Sequence, residues 1–243
     1  MKAHAAYAGP SCHHGQAGES CANCKVRLVS VCSALVAEDL HLLEEMARSV
    51  CFPAKATMFS QGDPADAVYT ITSGVARLYN LLPDGRRQIV GFALPGDFLG
   101  LAMQKANGFS VDAVDSVVAC RFPRNAYAAL VDEKPHVLHC LHEFATHELT
   151  LVQDHMMLLG RRTAEEKVVA FLLSMRERWA KLGRLSINVP LPMSRQDIAD
   201  FLGLTIETVS RTFTKLARDK TIVIVPDGVR LMNLEHMETL AAA

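Results

Sequence analysis

From Val137 to Leu159 the chain runs without a proline or a glycine. That continuity predicts one long helix and divides the chain into two dissimilar halves. Before it, β-branched or aliphatic runs at Ala67–Thr72, Val75–Leu82, Gln88–Leu94 and Val117–Phe122 alternate with turn signals. Those signals are Gln61-Gly62-Asp63-Pro64, Ser73-Gly74, Pro83-Asp84-Gly85 and Pro95-Gly96-Asp97. Short strands so punctuated predict an antiparallel sandwich or roll, with Pro-Asp-Gly closing a hairpin. After the long helix, Ala164–Lys181 is amphipathic, with Val168, Phe171, Leu172 and Met175 on one face. The fold class is therefore α+β in four segments. Residues 1–33 form an irregular leader, ordered if at all by a ligand. Residues 34–134 form the β-domain, 135–160 the long helix, and 161–243 a helical, then compact α/β, end.

Within the long helix His142, Ala145, Leu149, Val152, Met156 and Leu159 are spaced 3, 4, 3, 4, 3. This heptad seam suits pairing with an identical helix and predicts a homodimer, although the same stripe would also suit packing on the β-domain.

Ser194–Leu202, a Gly203-Leu204-Thr205 turn and Ile206–Arg218 form a helix-turn-helix pattern. Ser194 can cap the first helix, with Asp197 completing part of a capping box. Ile198, Leu202, Val209 and Phe213 supply an internal core, and Ala199 and Leu204 sit where the helices approach. The tail Ile222–Val225, Asp227-Gly228, Val229–Met232 predicts a hairpin wing. A second helix entering the major groove N-terminus first would present Glu207, Ser210 and Arg211 to base edges. Thr205, Thr208, Thr212 and Lys215 are the candidates for phosphate contact. Charge agrees weakly: Lys and Arg exceed Asp and Glu by 13 to 10 from residue 161 onward, although the whole chain carries net −1. A Glu–Arg pair one helical turn apart would alone be only a weak surface contact. Within this pattern it predicts DNA reading.

Seven cysteines exclude a complete intrachain disulfide framework. No segment is long and apolar enough to span a membrane, and the N-terminus lacks a secretory apolar region. A cytoplasmic, reducing location is expected, with thiols free for metal or redox chemistry. Cys21-x2-Cys24-x7-Cys32 offers three thiolates; a fourth ligand would come from Cys12, Cys51, Cys120 or Cys140. Spacing leaves an iron–sulfur cluster, zinc and free redox thiols all open. Cys51 and Cys140 are expected to pack as isolated thiols. His13, His14, His136, His139, His142, His147 and His155 are expected to be solvated or packing.

The run Ser194-Arg195-Gln196-Asp197-Ile198-Ala199-Asp200-Phe201-Leu202-Gly203-Leu204-Thr205-Ile206-Glu207-Thr208-Val209-Ser210-Arg211, with Pro95-Gly96-Asp97-Phe98-Leu99-Gly100, resembles the cyclic-AMP receptor protein/FNR superfamily. The resemblance covers the chain from about Cys21 to its end. It implies a cyclic-nucleotide-binding-like β-roll, a dimerisation helix and a winged helix-turn-helix. The cysteines resemble the oxygen-sensing FNR branch, which implies a [4Fe-4S] cluster on Cys21, Cys24, Cys32 and Cys120. Seven residues separate Cys24 from Cys32 where the best-known pattern has five, similar to the longer-spaced FixK-like variant. Cys12 is an extra thiol that could compete. In the family an aspartate on the dimer helix opposes apoprotein pairing; Val152 aligns there, implying a less disfavoured apo-dimer. The resemblance further implies a palindrome similar to TTGAT-N4-ATCAA and an RNA polymerase contact at exposed roll loops including Asp84-Gly85. Gly100 is followed by Leu101, and Ser110-Val111 stands where cyclic-AMP binders carry Arg-Ser, so no cyclic nucleotide is expected. A cluster-free regulator of the same fold, sensing by thiol oxidation or zinc, is the alternative. A redox or metal-binding enzyme is disfavoured: the chain has no Walker loop, no Gly-x-Ser-x-Gly and no His-Glu-x-x-His.

Overall fold

A computed structural model describes residues 21–36, 39–100, 105–160 and 162–242. The strands are β1 (Arg48–Phe52), β2 (Thr57–Phe59), β3 (Ala67–Ser73), β4 (Ala76–Leu81), β5 (Arg87–Ala93), β6 (Phe98–Leu99), β7 (Ser110–Ala113), β8 (Val117–Pro123), β9 (Asn188–Pro190), β10 (Ile222–Val225) and β11 (Gly228–Leu231). The helices are α1 (Leu40–Met46), α2 (Arg124–Glu133), α3 (Pro135–Leu159), α4 (Ala164–Lys181), α5 (Arg195–Leu202), α6 (Ile206–Arg218) and α7 (Leu234–Ala242). Two compact units result. One takes the chain up to Ala76 together with Pro95–Val137; the other takes Arg77–Leu94 together with Leu138 onward.

In the first unit β1, β8, β3 and β6 form an antiparallel sheet in that order, and β2 pairs with β7. The inner strand β3 is buried continuously from Ala67 to Ile71, as expected of a strand covered on both faces. Strand β8 instead alternates from Val117 to Cys120: Val117 and Ala119 are buried while Val118 and Cys120 are half-buried, and Phe122, on the Cys120 face, is buried again. Successive side chains point to opposite faces, so Cys120 lies on the face opposite Val117 and Ala119. Gly74, the sharp turn after β3, has φ +80°, and a Cβ there would stand 2.3 Å from the Ser116 carbonyl oxygen.

From Cys21 the leader is not irregular. It runs as three 3-10 turns, Cys21–Asn23, Arg27–Val29 and Val31–Ala34, pinned by buried Val26, Ser30, Val31 and Leu35. The stretches 67–72, 75–82, 88–94 and 117–122 all form strands, within a residue or two of the expected ends. Strands β1, β2, β6, β7 and β9, and helices α1, α2 and α7, were not expected, and several are too short for periodicity to register.

In the second unit Leu82 and Arg86 close the β4–β5 turn through a 2.8 Å bond from the Leu82 N–H to the Arg86 carbonyl oxygen. Helices α4 and α6 match the expected Ala164–Lys181 and Ile206–Arg218. Thr163 and Glu166 cap α4 reciprocally. Strands β10, β11 and β9 form the small antiparallel wing sheet. Its core joins Ile222, Val229 and Leu231 to Ile198, Leu202, Val209 and Phe213, all at most 1% exposed. The α+β class and the order β-domain, long helix, winged helix-turn-helix are as the sequence predicts.

Gly74→Ala and Gly85→Ala separate backbone strain from collision. Both sites have positive φ, but a Cβ at Gly85 meets nothing within 4 Å. Gly85→Ala should cost only the left-handed term of about 1–2 kcal/mol. Gly74→Ala should cost at least about twice that, because backbone must also shift. Urea unfolding of the two variants checks the order.

Candidate nucleic-acid interface and thiol site

Three features build the reading head. The Ser194 Oγ accepts from the Asp197 N–H at 3.1 Å, and the Asp197 carboxylate accepts from the Ser194 N–H at 3.0 Å, completing the capping box. Gly203 ends α5 in the left-handed region at φ 63°, where glycine avoids the Cβ penalty. Thr205 then caps α6, its hydroxyl accepting from the Thr208 N–H. The first two turns of α6 thus leave Glu207, Ser210 and Arg211 exposed on one face. The Glu207 carboxyl is held below its usual range by N-terminal backbone N–H and the Thr205 hydroxyl, with Arg211 adding to this. It is therefore a ready acceptor at neutral pH.

The phosphate candidates divide. Thr205 is exposed, Thr208 is half-buried, and their hydroxyls lie 3.0 Å apart within the cap. Lys215 is exposed and pairs with Glu165. Thr212 is not available: it is 8% exposed, and its hydroxyl donates to the Thr208 carbonyl at 2.9 Å. It shares the packed face with Val209, Phe213 and Leu216, and its back-bonded hydroxyl lets a polar residue lie there. Sequence reasoning gave no role to Arg195, whose guanidinium stands 3.3 Å from the Phe213 ring centroid. A cation at a helix N-terminus opposes the helix dipole, and that was the available signal.

In the first unit the leader returns three cysteines toward β8. The Cys21 N–H donates to Glu44 Oε1 of α1 at 2.6 Å. Ser30 caps the last turn by accepting from the Cys32 N–H at 3.3 Å. Gly96 permits a close pass: a Cβ there would lie 2.9 Å from the Val29 carbonyl oxygen. Cys120 sits in register between Ser49 of β1 and Thr70 of β3. Burial pushes its thiol up to about 12, and Cys24, Cys32 and Cys21 push it in the same direction. Burial raises Cys21 to about 11, with Cys32, Glu44 and Cys24 adding and Arg27 opposing. The four sulfurs therefore share one electrostatic neighbourhood. Among the described residues no three His, Cys, Asp or Glu side chains already stand in metal-binding geometry.

The profile of the bacterial regulatory proteins, crp family, matches residues 191–222, and that of the cyclic nucleotide-binding domain matches residues 49–134. The chain is 51% identical over 241 residues to the transcriptional activatory protein AadR of Rhodopseudomonas palustris, covering 99% of each chain. It is 51% identical over 226 residues to the nitrogen fixation regulation protein FixK of Bradyrhizobium diazoefficiens, covering 93% of this chain and 95% of that one. The chain belongs to the CRP/FNR family of transcription regulators. The solved structure of FixK2 from Bradyrhizobium japonicum agrees, with TM-score 0.76 and 34% identity over 81% of this chain and 98% of that one.

As a CRP/FNR-type, FixK-like regulator the protein is a DNA-binding transcription regulator and not an enzyme. None of its described helices is long and apolar enough to cross a membrane. Its remaining expected residues fall out as follows. His142, Ala145, Leu149, Val152, Met156 and Leu159 are all exposed on α3. The helix histidines include three held individually: His139 lies 3.4 Å from Glu143, His147 lies 3.1 Å from Lys181, and His155 lies 2.9 Å from the Phe201 carbonyl oxygen. Cys140 is half-buried and forms no disulfide, whereas Cys51 is half-buried and disulfide-bonded, not the packing thiol expected. Cys12, His13, His14 and Leu101 lie outside the described residues.

Two outcomes follow. Arg211→Ala should lose about 1–3 kcal/mol of operator binding and relax base preference at one position, while Thr212→Val should leave both nearly unchanged; binding to a panel of singly substituted operators reads this. In metal-free protein at pH 8, Cys21 and Cys120 should react with iodoacetamide roughly 10- to 100-fold more slowly than a free cysteine peptide. The sign follows from the thiolate being the nucleophile: a raised pKa empties that form at a fixed pH. Peptide mapping of alkylation against time measures it.

Proposed function

We propose that this regulator responds to oxygen through a [4Fe-4S] cluster held by Cys21, Cys24, Cys32 and Cys120. The observation that carries the reading is the shared neighbourhood of these four thiols, with Cys21 and Cys120 raised to about 11 and about 12. Each thiolate formed there makes the next more costly, and a multivalent cationic group offsets that cost. The donor set therefore fits such a group. When bound, it supplies the balancing charge and an oxygen-labile centre. The raised thiols also argue against a cluster-free redox sensor, which requires thiols with depressed pKa.

The route from this site to the dimer helix runs through α1. Glu44, in its last turn, holds the Cys21 backbone. Asp39, its N-cap, accepts from Lys134 at 2.8 Å, immediately before Pro135 begins α3. Lys134 holds the Asp39 carboxyl below its usual range, with His136 adding to this. Tying the leader to β8 thereby orders the start of the helix that carries the seam.

That seam supports a homodimer. Leu149, Val152 and Met156 are 57%, 51% and 67% exposed on one chain. Full burial of such a side chain contributes about 1.5–3 kcal/mol, enough for several together to outweigh the cost of association. Val152, where the family carries aspartate, adds apolar area and favours pairing of the apoprotein as well. The paired molecule would set two α6 helices about 34 Å apart on a palindrome similar to TTGAT-N4-ATCAA. The exposed β4–β5 turn, with Asp84 on Arg86 at 2.7 Å, offers a contact for RNA polymerase. Cyclic-nucleotide control does not fit. Ser110, where the phosphate-binding arginine would stand, is buried, and its hydroxyl accepts from the Gln61 N–H at 2.9 Å. A cluster of this kind calls for a reducing environment such as the cytoplasm, in which the Cys51 disulfide would be expected to open.

Anaerobic purification should yield a coloured protein absorbing near 400 nm, with iron and acid-labile sulfide, bleached by air. Cys120→Ala should abolish cluster retention and Cys12→Ala should not. A colourless, iron-free dimer that still binds the operator would sink the cluster reading. A colourless protein carrying stoichiometric zinc would establish the zinc alternative instead.

A further inference from the structure

The β4–β5 hairpin docks on the first helix of the reading head, wholly within the second unit. Two carboxylates three residues apart on one face of α5 receive it. Asp197 Oδ1 accepts from Arg77 Nη1 at 3.0 Å and from Arg87 Nη2 at 2.8 Å. Asp200 Oδ2 accepts from Arg87 Nε at 3.1 Å and Nη2 at 2.9 Å, so one guanidinium bridges both acids. Gln88 adds a 2.8 Å bond to the Asp200 backbone carbonyl. The Asp197 side chain is only 4% exposed and that of Asp200 15%, so these pairs are shielded from the screening that weakens surface ion pairs.

The two oxygens of Asp197 have separate tasks. Oδ1 takes the arginines, while Oδ2 takes the Ser194 cap. Beside the ion network, Phe92 of β5 packs against Phe201 of α5 and Phe171 of α4, at ring separations of 5.5 Å and 6.2 Å. The Arg178 guanidinium donates to the Phe92 carbonyl at 2.8 Å. His155 of α3 sits on Phe201 with ring centroids 4.0 Å apart. Hairpin, dimer helix, α4 and α5 thus meet at one place, and none of these contacts covers Glu207, Ser210 or Arg211.

We infer that Arg87 and Asp200 are positioning residues for two-site DNA recognition, fixing the angle of the helix-turn-helix relative to α3 and hence the spacing of the two reading helices. The inference rests on the dimer reading above. A chain link alone leaves that angle adjustable; a guanidinium bridging two shielded carboxylates supplies a second, directional attachment. Because the reading face stays uncovered, the docked hairpin holds a binding-competent arrangement and is not an inhibitory cover.

The test uses the full-length protein purified anaerobically, with two duplexes: the complete palindrome and a single half-site. Arg87→Glu and Asp200→Arg should each weaken palindrome binding on the order of tenfold while leaving half-site binding within about twofold. The double variant Arg87→Glu/Asp200→Arg should recover part of the loss, because the exchanged pair can re-form while the new carboxylate also faces Asp197. Arg87→Lys keeps the charge but cannot bridge two carboxylates, and should show an intermediate loss even if the charge reversals fold poorly. Equal losses on both duplexes, or single variants that bind the palindrome like wild type, would overturn the inference. So would a folded double variant that recovers nothing. Sedimentation separates this from the dimer reading: a monomeric wild-type chain sinks both, whereas a wild-type dimer with indifferent variants sinks only the positioning role.

Discussion

The pleat of β8 is the constraint on which the first unit depends. Hydrogen-bonded on both sides, to β1 and to β3, the strand has no freedom to slip without turning its buried residues out. Val117 and Ala119 fill the interior on one face, and the same alternation fixes Cys120 on the opposite face, beside buried Phe122. The leader is brought to that thiol by ordinary packing, through Val26, Val31 and Leu35, and by the space that Gly96 leaves for Val29. The proposed cluster site thus inherits its geometry from a core that would take no part in its chemistry.

Electrostatics divides the molecule by the same logic. Where charges work together they are shielded and matched: Arg77 and Arg87 on Asp197 and Asp200, or Lys134 on Asp39. On the face offered to DNA they stay exposed, and Glu207 and Arg211 keep their hydrogen-bonding capacity for a partner. Burying the reading residues would fix them more firmly but would cost their desolvation in the fold and withdraw them from the groove. At the thiol site the described charges do not offset the rise at Cys21. Arg27 opposes only part of the rise at Cys21, while Glu44 adds to it.

Long periodic elements were legible in the sequence, and contacts between distant residues were not. Helices α4 and α6 could be bounded to the residue, because caps and apolar spacing recur within each segment. Cys21, Cys24 and Cys32 declared themselves by spacing, but Cys120 entered only through family resemblance, since nothing local distinguishes it from Cys51 or Cys140. Strand β6, with two residues, offers no alternation to detect. Thr212 misled because hydroxyl residues read as polar, although its position three residues after Val209 puts it on the buried face. Arg87 and Asp200 lie 113 residues apart, and no property of either segment announces the other.

Helix α3 joins these observations. Its start adjoins the Asp39–Lys134 pair, and its later turns carry both the exposed seam and His155, which packs on Phe201 of the reading head. A proline or glycine within it would absorb a change at one end before it reached the other. Their absence from Val137 to Leu159, first a sign of one long helix, is therefore also a mechanical property. On the proposed reading, an unbroken helix would carry order along the seam, and the Arg87 bridge would keep the reading head from dissipating that order as a change of angle. On this view the dimer equilibrium and the spacing of the reading helices are set by separate contacts: the first by exposed apolar side chains, the second by shielded charge.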